Sequence, residues 1–302
     1  CDRLHKVRTS YYFKSPFIMN EMIQFHKYEK HFETPPNAKT DNFVIAGALL
    51  NYNFGYGCLQ PWPTLGDKDL KHHLNSIVKG SPSEMAQAAL KCCEVDGRAR
   101  REQINLFDSL SLPKYHQTLN CLDDLSIQIP NFDEFTHIKI KCNNDINNVF
   151  EIIKDFYKNK IIRLDFNSCL TVEELLEFIS LLNSKHKSKI DFIEDPIPFD
   201  SLLWNDIQTE SGLNFALDRG PMDSNSGYKI RIWKPTITLN EPKSYPLCIT
   251  HNMDHELGMR YATYRAATSK YSSSIHGTGH FNLSQNGNGL GMDEYLESLQ
   301  WD

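Results

Sequence analysis

Ile161-Ile162-Arg163-Leu164-Asp165, Asp191-Phe192-Ile193-Glu194 and Leu213-Asn214-Phe215-Ala216-Leu217-Asp218 are three short apolar runs that each close on a carboxylate. They are rich in branched and aromatic residues and lead into Asn, Pro or Gly, the signature of a buried strand followed by a turn. The spacing from 165 to 194 to 218 leaves room for one helix and two loops between successive strands. That predicts three acids at the same end of successive parallel strands. Three carboxylates gathered there cannot all stay ionised unpaired, because like charges a few Å apart repel. An oxygen-liganded divalent cation relieves the repulsion; Mg²⁺ suits such a set, and Mn²⁺ can substitute.

Working outward, Thr136 to Lys141 alternates as a strand, and Asp145-Ile146 opens a helix to about Lys158. Thr171-Val172-Glu173-Glu174 reads as a capping box, with Leu175, Leu176, Ile179 and Leu182 on one face of its helix. Lys229 to Trp233, Tyr245 to Thr250 and Ser273 to Ile275 are further strands. Seven or eight parallel strands predict an α/β fold, a TIM-like (β/α)7β barrel with its active site at the C-terminal strand ends. The links from 218 to 234 and from 235 to 245 are too short for a full helix, so the barrel is expected to be irregular there.

Upstream, Tyr11-Tyr12-Phe13, Ile23 to Tyr28 and Asn42 to Leu50 read as strands, and Thr34-Pro35-Pro36-Asn37 as a turn or loop. Asn51 to Gly57 supplies a Gly-containing turn. Asp67 to Val78 is helical, and Ser81-Pro82-Ser83-Glu84 starts a second helix through Cys93, with proline in its first turn. These elements predict an α+β capping domain over 1–105, followed by the barrel domain over 106–302.

The 302 residues carry a net charge of −6, which argues against a nucleic-acid surface. No apolar run reaches the roughly 20 residues needed to span a bilayer. Cys1-Asp2-Arg3 does not begin a secretory signal, so a cytoplasmic protein is expected, its native start missing or processed. Eight cysteines without a C-x-x-C pair fit reduced, buried thiols.

Lys139 and Lys141 lie two apart on one strand and so face the same side, while Lys234 ends a strand further round. A divalent ion flanked by lysines from opposite walls suits removal of a proton next to a carboxylate, with a lysine of lowered pKa as the base. The expected partner is therefore a small-molecule carboxylate substrate. A lone strand-end Asp is usually a turn or cap residue, and Lys139 alone would pass for half a salt bridge; the three acids together with two lysines at matching positions carry the functional reading.

This constellation resembles the enolase superfamily, on Lys139-Ile140-Lys141, Leu164-Asp165-Phe166-Asn167, Ile193-Glu194-Asp195-Pro196, Leu217-Asp218 and Lys234-Pro235. Gly55-Tyr56-Gly57 with Pro61 and the helix at Leu70 is similar to its N-terminal capping domain. K-x-K with the later lysine points to the muconate-lactonising subgroup. Within that subgroup, Arg163 to Asn167 and the short chain resemble the o-succinylbenzoate synthase family of menaquinone biosynthesis.

The resemblance implies a metal-dependent carbon–oxygen lyase acting on 2-succinyl-6-hydroxy-2,4-cyclohexadiene-1-carboxylate. It implies that Asp165, Glu194 and Asp218 bind Mg²⁺ and that Arg163 and Asn167 stand behind them. Lys141 would take the α-proton and return it to the departing hydroxide. Lys234 would hold the ring's other face by a cation–π contact, and Lys139 would add positive charge. Thr250, Asn252, Gly277 and Gly279 match the substrate-holding residues of the last strands. Asp218 is followed by Arg219-Gly220 where relatives commonly carry Glu-Ser.

Two other readings stay open. The same lysines suit a racemase or epimerase of N-acylated amino acids or dipeptides, although Ser273 to Gly277 lacks the Asp-x-Asp that dipeptide epimerases usually carry. A barrel that binds without turnover is the third. His72-His73 reads as solvated, His251 and His255 as a plain entry to a helix, and His276 to His280 as a loop at the barrel mouth.

Overall fold

The computed structural model describes residues 23–40, 43–120, 134–156, 158–221, 226–243, 246–279 and 287–302. The strand expected at Tyr11 to Phe13, the first residue of the Tyr245 strand and His280 lie outside them. Three strands form an antiparallel sheet: β1 (Gln24–His31), β2 (Val44–Tyr52) and β3 (Gly55–Leu59). The turn expected over 51–57 is shorter than the sequence suggested. Asn53 and Phe54 alone make it, both at positive φ (53° and 63°), as a two-residue hairpin loop requires. Gly55 already belongs to β3. A Cβ there would lie 2.0 Å from the Cys93 carbonyl oxygen, so glycine is what lets β3 lie against the helix behind it.

That helix is α2 (Glu84–Arg101), preceded by α1 (Leu70–Val78). Asp69 and Ser83 cap the two, accepting from the backbone N–H of His72 and Ala86. Pro82 thus stands before the cap rather than in the first turn, and α2 continues two turns past Cys93. Its buried small residues, Ala86, Ala89 and Cys93, pack on Ala48, Leu50 and Leu59 of the sheet. His73 is also buried rather than solvated, between the Ser83 hydroxyl (2.7 Å) and the Lys68 carbonyl (3.1 Å).

Seven parallel strands follow in chain order: β4 (Gln117–Asn120), β5 (His137–Lys141), β6 (Ile161–Asp165), β7 (Ile190–Glu194), β8 (Phe215–Leu217), β9 (Ile230–Trp233) and β10 (Leu247–Ile249). The strand expected at Ser273 to Ile275 is absent. The ring is joined instead one residue later, where His276 bridges Tyr115 ahead of β4 and Gly277 bridges Thr250 beyond β10. Two bridging residues suffice because both neighbours supply the backbone partners. The molecule is thus a TIM-like barrel with an antiparallel N-terminal sheet.

Helices α3 (Ile146–Phe156), α4 (Val172–Leu181), α5 (Ser184–Lys187), α6 (Ser201–Ser211), α7 (Glu256–Thr268) and α8 (Asp293–Ser298) complete the chain. Among the described residues none lies between β8 and β9 or between β9 and β10, as the short links predicted. Thr171 and Glu174 do form the capping box. Leu176 is the exception on that helix: it is 47% exposed, and Phe178 takes the buried place beside Leu175 and Ile179, since the 3.6-residue period carries 176 to the outer flank. None of the six described cysteines forms a disulfide. Among the described residues no helix is long and apolar enough to cross a membrane.

The two-residue period of the strands sorts their side chains. Ile138, Ile140, Ile162, Leu164, Ile193, Phe215 and Leu217 face the helices and join one large core with Val149, Ile152 and Phe178. The alternate positions point inward in layers. Phe192, Ala216, Ile232 and Cys248 pack together as an apolar floor. Two residues further along the same strands come Glu194, Asp218, Lys234 and Thr250, level with Lys141 and Asp165.

Candidate active site

That upper layer is the polar lining of a cavity at the C-terminal strand ends. Lys139, Lys141, Asp165, Asn167, Asp218 and Lys234 line it, and Asn37, Trp62 and Leu65 of the N-terminal unit close it from above. Glu194 stands just behind the wall, 2% exposed. Register explains the meeting: Lys141 pairs with Asp165 across β5 and β6, and Asp165 with Glu194 across β6 and β7.

The charges interlock. Lys139 Nζ donates to Asp165 Oδ2 (2.8 Å) and Glu194 Oε2 (2.7 Å). Burial works against the Lys139 charge, but Asp165 and Glu194 outweigh it, and the pKa is raised. Burial, then the charge of Asp165, pushes Glu194 up to about 7, with Lys139 opposing. Lys234 Nζ donates to Asp218. Burial would raise Asp218, yet Lys234 and Arg219 together hold it down at about 2. Arg219 reaches out to Asp67 of the N-terminal unit (2.6 Å). Asp195 braces the same turn, accepting from the backbone N–H of Asp218 (3.0 Å) and Arg219 (2.9 Å).

Lys141 is different. Among the described residues it has no carboxylate partner; its Nζ donates to the Pro36 carbonyl (2.9 Å) and lies 2.6 Å from Met253 Sδ. Burial lowers its pKa to about 8, with Lys139 and Lys234 adding to the effect and Asp165 opposing it. An amine so placed gives up its proton readily near neutrality.

The remaining predicted residues divide. Asn167 Nδ2 donates to Asp165 Oδ1 (2.9 Å), behind the first acid as expected. Thr250, Asn252 and Gly277 line the cavity. Gly279 does not; it sits at positive φ (72°) against Met259 and His251. Arg163 lies one layer down, where its Nε meets Asp191 (2.8 Å) and its Nη1 meets His116 Nδ1 (2.9 Å), rather than touching the three acids.

Sequence reading missed His116 and His251, both on the cavity wall. His251 is no plain helix entry; His255 alone has that role, capping α7. The backbone N–H of Met253 donates to His251 Nδ1 (2.9 Å), which leaves the ring proton on Nε2. Burial, then the neighbouring lysines Lys30, Lys141 and Lys234, pushes its pKa down to about 3. The available signal was position: His251 follows Thr250 directly at a strand end, and His116 directly precedes β4.

Among the described residues no three His, Cys, Asp or Glu side chains already form a cage for a metal ion. The oxygens of the three acids are instead drawn to ammonium groups, Lys139 between Asp165 and Glu194 and Lys234 on Asp218. The donor chemistry fits a hard divalent cation: three carboxylates, all oxygen, on neighbouring strand ends, with one pushed up to about 7 by burial and its neighbours.

Residues 23–99 match the family model described as "O-succinylbenzoate synthase, N-terminal domain". The o-succinylbenzoate synthase of Bdellovibrio bacteriovorus is 23% identical over 310 residues, covering 88% of this chain and 93% of that one. Among solved structures, the o-succinylbenzoate synthase of Thermosynechococcus elongatus, with Mg in its active site, superposes with a TM-score of 0.61 at 15% identity, covering 85% of this chain and 88% of that one. The dipeptide epimerase of Enterococcus faecalis, holding Mg and L-Leu-L-Tyr, gives 0.67 at 15% identity, covering 89% and 98%. The resemblance drawn from the motifs to the enolase superfamily, and within it to o-succinylbenzoate synthases, is borne out. The likeness supports an enzyme.

Proposed function

We propose that this chain is an o-succinylbenzoate synthase-type carbon–oxygen lyase, with residues 1–105 capping a barrel of 106–302. The observation that carries the reading is the single cavity layer in which Lys141, bonded to the Pro36 carbonyl, faces Asp218-bound Lys234 across the acids. In the proposed reaction, Lys141 accepts the proton on the ring carbon that bears the substrate carboxylate. The C–H electron pair becomes a ring double bond as the neighbouring C–O bond breaks. Lys141 then returns the proton to the departing hydroxide, so water leaves from the same face and the ring becomes aromatic. Lys234 holds the opposite face of the ring by a cation–π contact. Lys139 keeps Asp165 and Glu194 in place and adds positive charge beneath the carboxylate. Mg²⁺ held by Asp165, Glu194 and Asp218 would supply the charge that the substrate carboxylate needs as its α-proton leaves. Menaquinone biosynthesis is the route in which such a product is used.

The epimerase alternative shares both lysines. Against it, the segment that closes the barrel, His276-Gly277-Thr278, offers no carboxylate for an ammonium group. Among the described residues the carboxylates lining the cavity are Asp165 and Asp218, and both are engaged by lysines. The deciding test is ultraviolet monitoring of the cyclohexadiene substrate as it aromatises, beside racemisation of an N-succinylamino acid. Aromatisation is the expected result, and racemisation alone would refute the lyase reading.

The lowered Lys141 pKa sets the pH dependence. A base must be neutral to accept a proton, so kcat/KM should rise with pH, pass half its maximum at or below about pH 8, since a divalent cation nearby lowers the lysine further, and level off above. A profile flat from pH 6 to about 9 would mean that another group takes the proton.

A further inference from the structure

Where the N-terminal unit meets the rim of the barrel, one arginine stands between two carboxylates, one from each side. Arg219 Nη1 donates to Asp67 Oδ1 (2.6 Å), and its Nε lies 3.7 Å from Asp218 Oδ2. Among the described residues Arg219 pairs with no other carboxylate. The side chains of Arg219 and Asp67 are only 22% and 12% exposed. Arg219 Nε and Nη2 are buried without a hydrogen-bond partner. Keeping a guanidinium inside the protein with two nitrogens unused costs stability. One of those nitrogens, Nε, is the one that lies nearest Asp218.

Both ends of the bridge are anchored. Asp67 Oδ2 accepts the Trp62 N–H (2.8 Å), and the Asp67 N–H returns to the Trp62 carbonyl (3.3 Å). That fixes the carboxylate on its own loop and leaves Oδ1 for Arg219. On the barrel side, the Asp195 carboxylate holds the backbone N–H groups of Asp218 and Arg219. With both backbones pinned, the guanidinium is the part that can shift between the two acids. Asp67 holds it in this structure. Without the Asp67 charge a buried guanidinium needs another anion, and Asp218 already stands at 3.7 Å.

We propose that Asp67 is a positioning residue: it draws the Arg219 guanidinium away from Asp218 and so keeps the third acid of the cavity open to a divalent cation. This rests on the reading above that Asp218 helps to hold Mg²⁺, and it adds a residue of the N-terminal unit that does not itself line the cavity. Lys234 already donates to Asp218 Oδ2. An arginine seated on the same carboxylate would occupy its oxygens and add positive charge where the ion must come, and both effects weaken binding of the ion.

The test is calorimetric titration of Mg²⁺ alone into the full chain, as wild type, Asp67→Asn, Arg219→Met and the double variant. Asp67→Asn is close in shape and still accepts the Trp62 N–H, yet it should bind Mg²⁺ about tenfold more weakly than wild type, the scale of one charge-assisted hydrogen bond. Arg219→Met should bind the ion at least as well as wild type. In the Arg219→Met background, Asp67→Asn should change the affinity by less than about threefold, because the competing guanidinium is gone. The double variant removes both charges together, so neither is left buried and unpaired to unfold it. Should Asp67→Asn alone fail to fold, Asp67→Ser, whose hydroxyl accepts the same N–H, takes its place. Wild-type affinity in Asp67→Asn, weaker binding in Arg219→Met, or an equal loss in both backgrounds overturns the inference and leaves the metal reading in place. No binding of Mg²⁺ by wild type overturns the metal reading and this inference with it.

Discussion

Lys141→Ala should lower kcat by about 10³-fold while leaving the fold intact, the usual scale for losing a positioned general base. The fold is expected to survive because, among the described residues, Lys141 neutralises no carboxylate, unlike Lys139 and Lys234. Its contacts are the Pro36 carbonyl and Met253 Sδ. Removing a buried amine whose charge is already disfavoured takes away a desolvation cost along with one hydrogen bond. Lys139→Ala is the contrasting case, because it would strip the shared counter-charge from Asp165 and Glu194. Single-turnover kinetics with a thermal melt on the same sample check the claim. Turnover unchanged in Lys141→Ala would remove the base and favour a barrel that binds without reacting.

Chelation with EDTA should abolish turnover, and Mg²⁺ or Mn²⁺ should restore it. Circular dichroism should change little on chelation, since Lys139 and Lys234 already balance the acids. Added Mg²⁺ should raise the melting temperature, because an ion that binds only the folded chain stabilises it by about 2.7 kcal/mol at a hundred times its Kd. Full activity in EDTA would rule out the metal role.

Much of this site was legible in the chain because its determinants are local. An inward residue two places past a floor residue, at the end of a short apolar run, is visible as Asp165, Glu194, Asp218 or Lys234 without knowing any partner. The two-residue spacing likewise placed Lys139 and Lys141 on one side. What stayed hidden depends on distant contacts. His116 is a cavity residue only because Arg163, on β6, anchors its far nitrogen. The closing segment makes too few ladder bonds to announce itself as a strand, so Ser273 to Ile275 was favoured over His276 and Gly277. Burial of His73 follows from the packing of α1 on α2, which no periodicity in a single helix reveals.

The Lys141 amine rests against a carbonyl from the loop between β1 and β2 as well as against Met253 of the barrel that carries the lysine. Attempts to redirect such an enzyme by transplanting that loop from a relative would therefore retune the base along with the selectivity. A graft that touches no part of the new substrate can still silence the reaction, and libraries built this way are better screened by isotope exchange at the acidic carbon than by affinity.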